Sequence, residues 1–223
     1  MRYLFGFMFL LAGLVALPLN VSAQAAEEDS LNSWQAAPDP SREEPSPKGP
    51  ASFVAPKDKA LVVFVRPKFY GKADKLYVLD ENKKLLTFLK GKEHVTIEVA
   101  PEKYTFYFYV RFGNACLVRA ELVAGRTYVV HTHYQGFAKP RVVAHPVLRS
   151  SADFAESAKW IRDTKRGKPD LSTANRSVKK RQDAISAGIT AAEAGWLKMD
   201  EMARSSLTLR PEDGRTPDEA SEL

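Results

Sequence analysis

EHVTIEVAPEKYTFYFYVR, residues 93–111, decides the fold. Val95, Ile97 and Val99 alternate with Thr96 and Glu98, the period-two pattern of a strand with one buried and one wet face. Ala100-Pro101-Glu102 supplies a turn. In the segment after it, Tyr104, Phe106, Phe108 and Val110 project to one side while Thr105, Tyr107 and Tyr109 project to the other. A strand that is apolar on both faces belongs in the middle of a sheet and must be covered twice.

The same signature extends outward in both directions. Runs of β-type residues occupy Ala60–Arg66, Lys75–Asp80, Lys84–Leu89, Glu93–Val99, Lys103–Arg111, Ala115–Leu122, Arg126–Tyr134 and Arg141–Leu148, with turn residues between them. Their close, regular spacing leaves no room for crossover helices, which argues for a small antiparallel β-sandwich of seven to eight short strands over residues 59–149. After Ser150 the period changes to helical. Phe154, Ala158 and Ile161 form a short stripe with Trp160 beside it, and Gly167-Lys168-Pro169 ends it. Val178, Ile185, Ala192, Trp196, Met199 and Ala203 then line one long helix over residues 175–206. A stripe of that length needs a cover, either the Tyr107/Tyr109 face of the sheet or a second copy of the chain as a homo-oligomer. Residues 150–208 are thus a helical region, and 209–223, with Pro211, Gly214 and Pro217, read as a disordered tail.

Upstream of the sandwich lie two segments of other character. Arg2 precedes an uncharged apolar run from Leu4 to Leu17, Pro18 and Asn20 break it, and Val21-Ser22-Ala23 fits a small-residue cleavage site. The run is shorter than the roughly 20 residues of a membrane span, so residues 1–23 read as a cleaved secretory leader. Residues 24–58 hold Pro38, Pro40, Pro45, Pro47, Pro50 and Pro56 among Ser and Glu, with too little to bury, and read as a tether in which Trp34 stands alone.

Composition narrows the function classes. The chain has 223 residues, 44% hydrophobic and 27% charged, which is ordinary for a globular protein. One Cys excludes a disulfide scaffold and a Cys-rich metal site, and its position, 116, is far from any lipid-anchor site near the leader. Net charge is +6, and the excess sits in residues 60–149, with fifteen Lys/Arg against seven Asp/Glu. There is no G-x-S-x-G elbow, H-E-x-x-H, P-loop or G-x-G-x-x-G.

Two constellations carry some chemistry. His131 and His133, two apart in a strand, project from one face at workable spacing for a transition metal; His94, His145 and Glu98 are the plausible further ligands. The run Arg162, Lys165, Arg166, Lys168, Arg176, Lys179, Lys180 and Arg181 could contact phosphates, anionic lipid or acidic glycans, against the plainer reading of a solvated helix face.

The segment Ala60-Leu61-Val62-Val63-Phe64-Val65-Arg66-Pro67, followed by Leu76–Asp80, Leu85–Lys90, Val95–Val99 with its Ala100-Pro101-Glu102-Lys103-Tyr104-Thr105 turn and strand, and Ala124-Gly125-Arg126-Thr127-Tyr128-Val129-Val130, resembles the bacterial envelope family catalogued as domain of unknown function 2846. The resemblance covers roughly residues 60–135. The chain departs from that pattern at Glu102, where the family has Gly, and lacks the lipoprotein Cys of many members. It implies a β-sandwich and an envelope location, and no established activity. The expectation is therefore an exported, non-enzymatic envelope module, periplasmic or secreted and not lipid-anchored. Its partner is expected to be another envelope protein or surface rather than nucleic acid, and no cofactor is expected. The alternative is a metal-binding protein or metal-dependent enzyme built on His131 and His133.

Overall fold

Ten strands form two five-stranded sheets, and five helices lie C-terminal to the first eight strands, in a computed structural model that describes residues 52–68, 73–111, 113–136 and 140–223. The expected leader, most of the expected tether and Trp34 lie outside the described residues. In one sheet, β1 (Ala60–Arg66) pairs antiparallel with β4 (Glu93–Val99) and parallel with β7 (Thr127–Gln135); β8 (Arg141–Pro146) and β9 (Lys165–Arg166) complete the order β8-β7-β1-β4-β9. In the other, β2 (Leu76–Leu79), β3 (Leu85–Leu89), β5 (Lys103–Val110), β6 (Ala115–Glu121) and β10 (Thr208–Leu209) run in the order β10-β6-β5-β2-β3.

The inner faces meet in one core. Phe64 lies edge-on to Phe106 and Phe108, with ring centroids 5.5 and 5.7 Å apart, and Val62, Ile97, Val118 and Val130 close around them. Arg66 ends β1 fully buried, its guanidinium 4.0 Å above the Tyr134 ring and Nη1 donating to the Asp74 carbonyl at 2.8 Å. The Arg-Pro end of that strand is therefore part of the packing. Strand β5 sits between β2 and β6 with both faces buried, as its composition requires.

Helices cover both outer faces. Helix α1 (Asp153–Arg162) lays Ile161, Phe154 and Trp160 against Val63, Val65 and Val129 of the first sheet. Helices α2 (Leu171–Lys179) and α3 (Gln182–Leu197) cover the second sheet, where Ile185, Ile189 and Trp196 pack on Tyr77, Tyr107, Tyr109 and Leu117. The stripe thus docks within its own chain. Arg119 stacks on Trp196 at 4.6 Å, and the Tyr107 hydroxyl donates to Glu193 at 2.6 Å. Gly188 permits the close approach: a Cβ there would stand 3.2 Å from the Gly113 carbonyl oxygen.

Four expectations need correction. Residues 175–206 are not one helix. The chain breaks between Lys179 and Gln182, and again before α4 (Glu201–Ser206), where Asp200 caps by accepting from the Ala203 amide at 2.8 Å. The expected wet face of β4 is largely covered, since Thr96 and His94 are buried. Ser52–Asp58 are not all tether: Phe53 packs on the α1 side of the first sheet and its carbonyl accepts from Thr127 Oγ1 at 2.6 Å.

Finally, residues 209–223 are not a disordered tail. They include β10, a 3₁₀ turn (Pro211–Asp213) and α5 (Pro217–Ser221). Leu209 pairs with Ala120 of the second sheet, while Thr127 and Arg215 exchange backbone hydrogen bonds of 3.1 and 2.8 Å at the first, so the tail straps the two sheets together. Polar side chains hold it there. Asp213 accepts from the Arg149 and Arg210 amides, each at 2.8 Å. Arg149 forks onto Glu219 at 2.8 and 2.9 Å. Arg215 is buried over the Phe154 ring and donates to Ser157 Oγ at 2.7 Å and to the Phe154 carbonyl.

Candidate functional site

Strands β7 and β8 place His131 directly opposite His145, with His133 two residues along on the same face. Ring centroids are 5.3 Å apart for His131–His133, 5.5 Å for His133–His145 and 6.5 Å for His131–His145. Trp160, carried across by α1, lies 4.4 Å from His131. Burial first, then the neighbouring imidazoles and Lys68, pushes His131 down to about 4; the same causes, in the same order, lower His133. Both rings are therefore neutral at pH 7. His131 Nε2 and His133 Nδ1 are buried without a hydrogen-bond partner among the described residues.

Of the ligands that the spacing suggested, the structure brings in His145 and leaves out the other two. His94 stands opposite Val65, which stands beside His131, so two strand spacings of roughly 5 Å each separate the two histidines. It is engaged with Thr164 Oγ1 at 3.0 Å and the Phe53 ring. Glu98 lies farther along the same strand, opposite Leu61. The rings stack rather than converge, and among the described residues no three His, Cys, Asp or Glu side chains are arranged to hold a metal ion. Cys116 packs against the core, and burial pushes its thiol up to about 12. It is not a nucleophile at neutral pH.

The basic run takes a course that no sequence period shows. Arg162 ends α1 over the first sheet. Lys165 and Arg166 form β9 on the edge of that sheet, beside Glu93 and His94. Lys168 lies in the link to α2, which carries Arg176 and Lys179 over β3, the edge of the second sheet; Lys180 and Arg181 lead into α3. The run thus wraps one rim of the sandwich from sheet to sheet.

Two turns add lysines to this rim. Lys83 and Lys84 precede β3, with Lys83 Nζ reaching Ser186 Oγ at 3.4 Å. Lys90 and Lys92 follow β3, and the Lys92 carbonyl accepts from the Lys165 amide at 3.1 Å. All twelve of these side chains are exposed except Arg181, which is half-buried. Acidic groups offset part of the charge: exposed Asp163 and Asp183 adjoin Arg162 and Arg181 in sequence, and Glu81 lies in the β2–β3 turn. Glu93 lies 3.8 Å from Lys165, and Asp170 caps α2 by accepting from the Thr173 amide at 3.1 Å. The sequence marked eight of the twelve; the four turn lysines were missed because they reach the rim only through the pairing of β3 and β4 with their neighbours.

A cleft of about 430 Å³ between Leu148–Ser150 and the strap contains Arg149, Arg210, Ser205 and Thr208. Its arginines already serve the strap: Arg149 holds Glu219, and Arg210 donates to Ser205.

The fold defines a class, a two-sheet β-sandwich with helices on both outer faces. No protein-family model, curated protein or solved structure matches the chain. Among the described residues no helix is long and apolar enough to cross a membrane.

Proposed function

We propose that this is an exported, non-enzymatic binding module of the bacterial cell envelope, periplasmic or secreted, that presents its basic rim to a partner. One observation carries the reading: basic side chains from the β2–β3 turn, the β3–β4 turn, β9 and α2 gather on one rim while the chain's own helices cover both sheet faces. A self-covered sandwich has its exposed basic rim, rather than an open apolar face, left to interact. Arg2, the apolar run to Leu17 and Val21-Ser22-Ala23 support export. The family resemblance over residues 60–135 supports the envelope. Cell fractionation with intact-mass measurement tests the reading. The protein is expected outside the cytoplasm with its N-terminus at Gln24 or Ala26, and a cytoplasmic chain retaining Met1 would overturn it.

A second reading has its own observation. His145 joins His131 and His133, and two of their ring nitrogens are buried without partners. These residues fit a borderline transition metal such as Zn, Cu or Ni by donor type, and a bound ion would give the orphaned nitrogens a partner once the stacked rings turn. Elemental analysis of the purified protein distinguishes this reading: a stoichiometric metal lost in His131→Ala supports it, and no metal in the wild type opposes it.

A further inference from the structure

We infer that the rim formed by β3, β4, β9 and α2 is a docking surface for an anionic phospholipid membrane, an inference that rests on the reading of the protein as an exported binding module. Lys83 and Lys84 lie at one end of β3 and Lys90 and Lys92 at the other. Five residues at roughly 3.3 Å each hold the two pairs about 17 Å apart. Lys165 and Arg166 widen the rim onto the other sheet, and α2 carries Arg176 and Lys179 over β3. A single small anion would engage one end of such a surface, whereas a sheet of headgroup phosphates engages all of it.

The large apolar side chains exposed among the described residues are Leu197 and Met202, neither on this rim. Among the described residues, the rim therefore presents charge without an exposed aromatic ring. Single-stranded nucleic acid is held by aromatic stacking as well as charge, whereas acidic glycans bind through charge and are told apart by the competition arm of the test. Headgroups ask only for cations. The rim is also rigid. Most of the rim is hydrogen-bonded backbone on strand edges and a capped helix, so its charges are presented together.

The test is co-sedimentation of the purified full chain with vesicles of phosphatidylglycerol and phosphatidylcholine in equal parts, against vesicles of phosphatidylcholine alone. Each Lys near an anionic surface contributes about fivefold in partitioning, and the effect weakens with salt. The triple variant Lys90→Gln/Lys168→Gln/Lys179→Gln should bind about 100-fold more weakly to the anionic vesicles. All three side chains are exposed, and an unchanged melting temperature confirms that the variant is folded. The control variant Lys57→Gln/Lys103→Gln/Lys198→Gln removes the same charge away from the rim and should bind within about twofold of wild type. The proposal is overturned by equal weakening of the two variants, by equal binding to both vesicle types, or by release of the protein from anionic vesicles by a substoichiometric charge of DNA or sulfated polysaccharide. Failure here with the protein still recovered outside the cytoplasm would remove the lipid partner alone; a cytoplasmic chain would remove the underlying reading.

Discussion

Arg215 shows how much one side chain can hold when the chain returns to a distant sheet. It stacks on Phe154 at 3.9 Å and donates to Ser157 Oγ, joining the strap to α1. Arg215→Ala would strand those partners and should cost about 2–4 kcal/mol, read by denaturant unfolding, because buried bonds to a charged group are among the stronger ones. Gly214 beside it has no room: an added Cβ would stand 2.7 Å from the Tyr128 ring. Gly214→Ala should therefore destabilise by about 1–3 kcal/mol through overpacking. The histidine face makes a prediction in pH. His131 is held down to about 4, below its ordinary value of 6.5, so the unfolded chain binds the extra proton first. Stability is then full above about 6.5 and falls as pH drops from there toward 4. Glu219, held down to about 2 first by Arg149, adds a separate loss at lower pH, between its ordinary 4.5 and 2. A pH series of melting temperatures checks both, and His131→Gln should shrink the upper step, to which His133 also contributes, while leaving the lower.

At the scale of elements, α3 is the member whose docking matters most. Trp196 is 3% exposed, with Arg119 over its ring. Trp196→Ala should cost about 3–5 kcal/mol while the protein's sedimentation stays unchanged, since the helix docks within the chain. Loss of an assembly without loss of stability would contradict that packing. Strand positions were well legible from residues alone: Ala60–Arg66 and Glu93–Val99 fall where their β-type residues and flanking turns place them, and the doubly apolar Lys103–Val110 is indeed central, whereas the alternation in Glu93–Val99 did not leave a wet face. The two-residue strands β9 and β10 were not legible, because each exists only through a partner far away in sequence, β4 and β6 respectively. The break at Lys180–Arg181 was missed because the stripe through Val178 and Ile185 continues across it. The histidine pair was legible from its spacing, but Trp160 and His145 came to it through an α1 crossing and a β7–β8 register that no local pattern states.

The described residues form a sandwich closed by the segments that flank it. Phe53 enters from the N-terminal side and the strap from the C-terminal side, and both converge on β7 at Thr127. The tail looked disordered in sequence because its Pro and Gly content is that of a linker; its order comes from Asp213, Arg215 and Glu219 finding fixed partners. Starting the chain at Pro56 rather than Ser52 should therefore lower the melting temperature by several degrees, where a free tether would leave it unmoved. Wrapping the sandwich also assembles the rim, since the link from α1 to α2 has to pass from one sheet to the other around the β3–β4 side. Lysine-reactivity footprinting in intact envelopes, compared with the purified protein, tests this account most directly. Protection of Lys83, Lys90, Lys92, Lys165, Lys168 and Lys179, with Lys57, Lys103 and Lys198 still reactive, is the predicted result. Protection spread evenly over both sets, or absent from the rim, would contradict it.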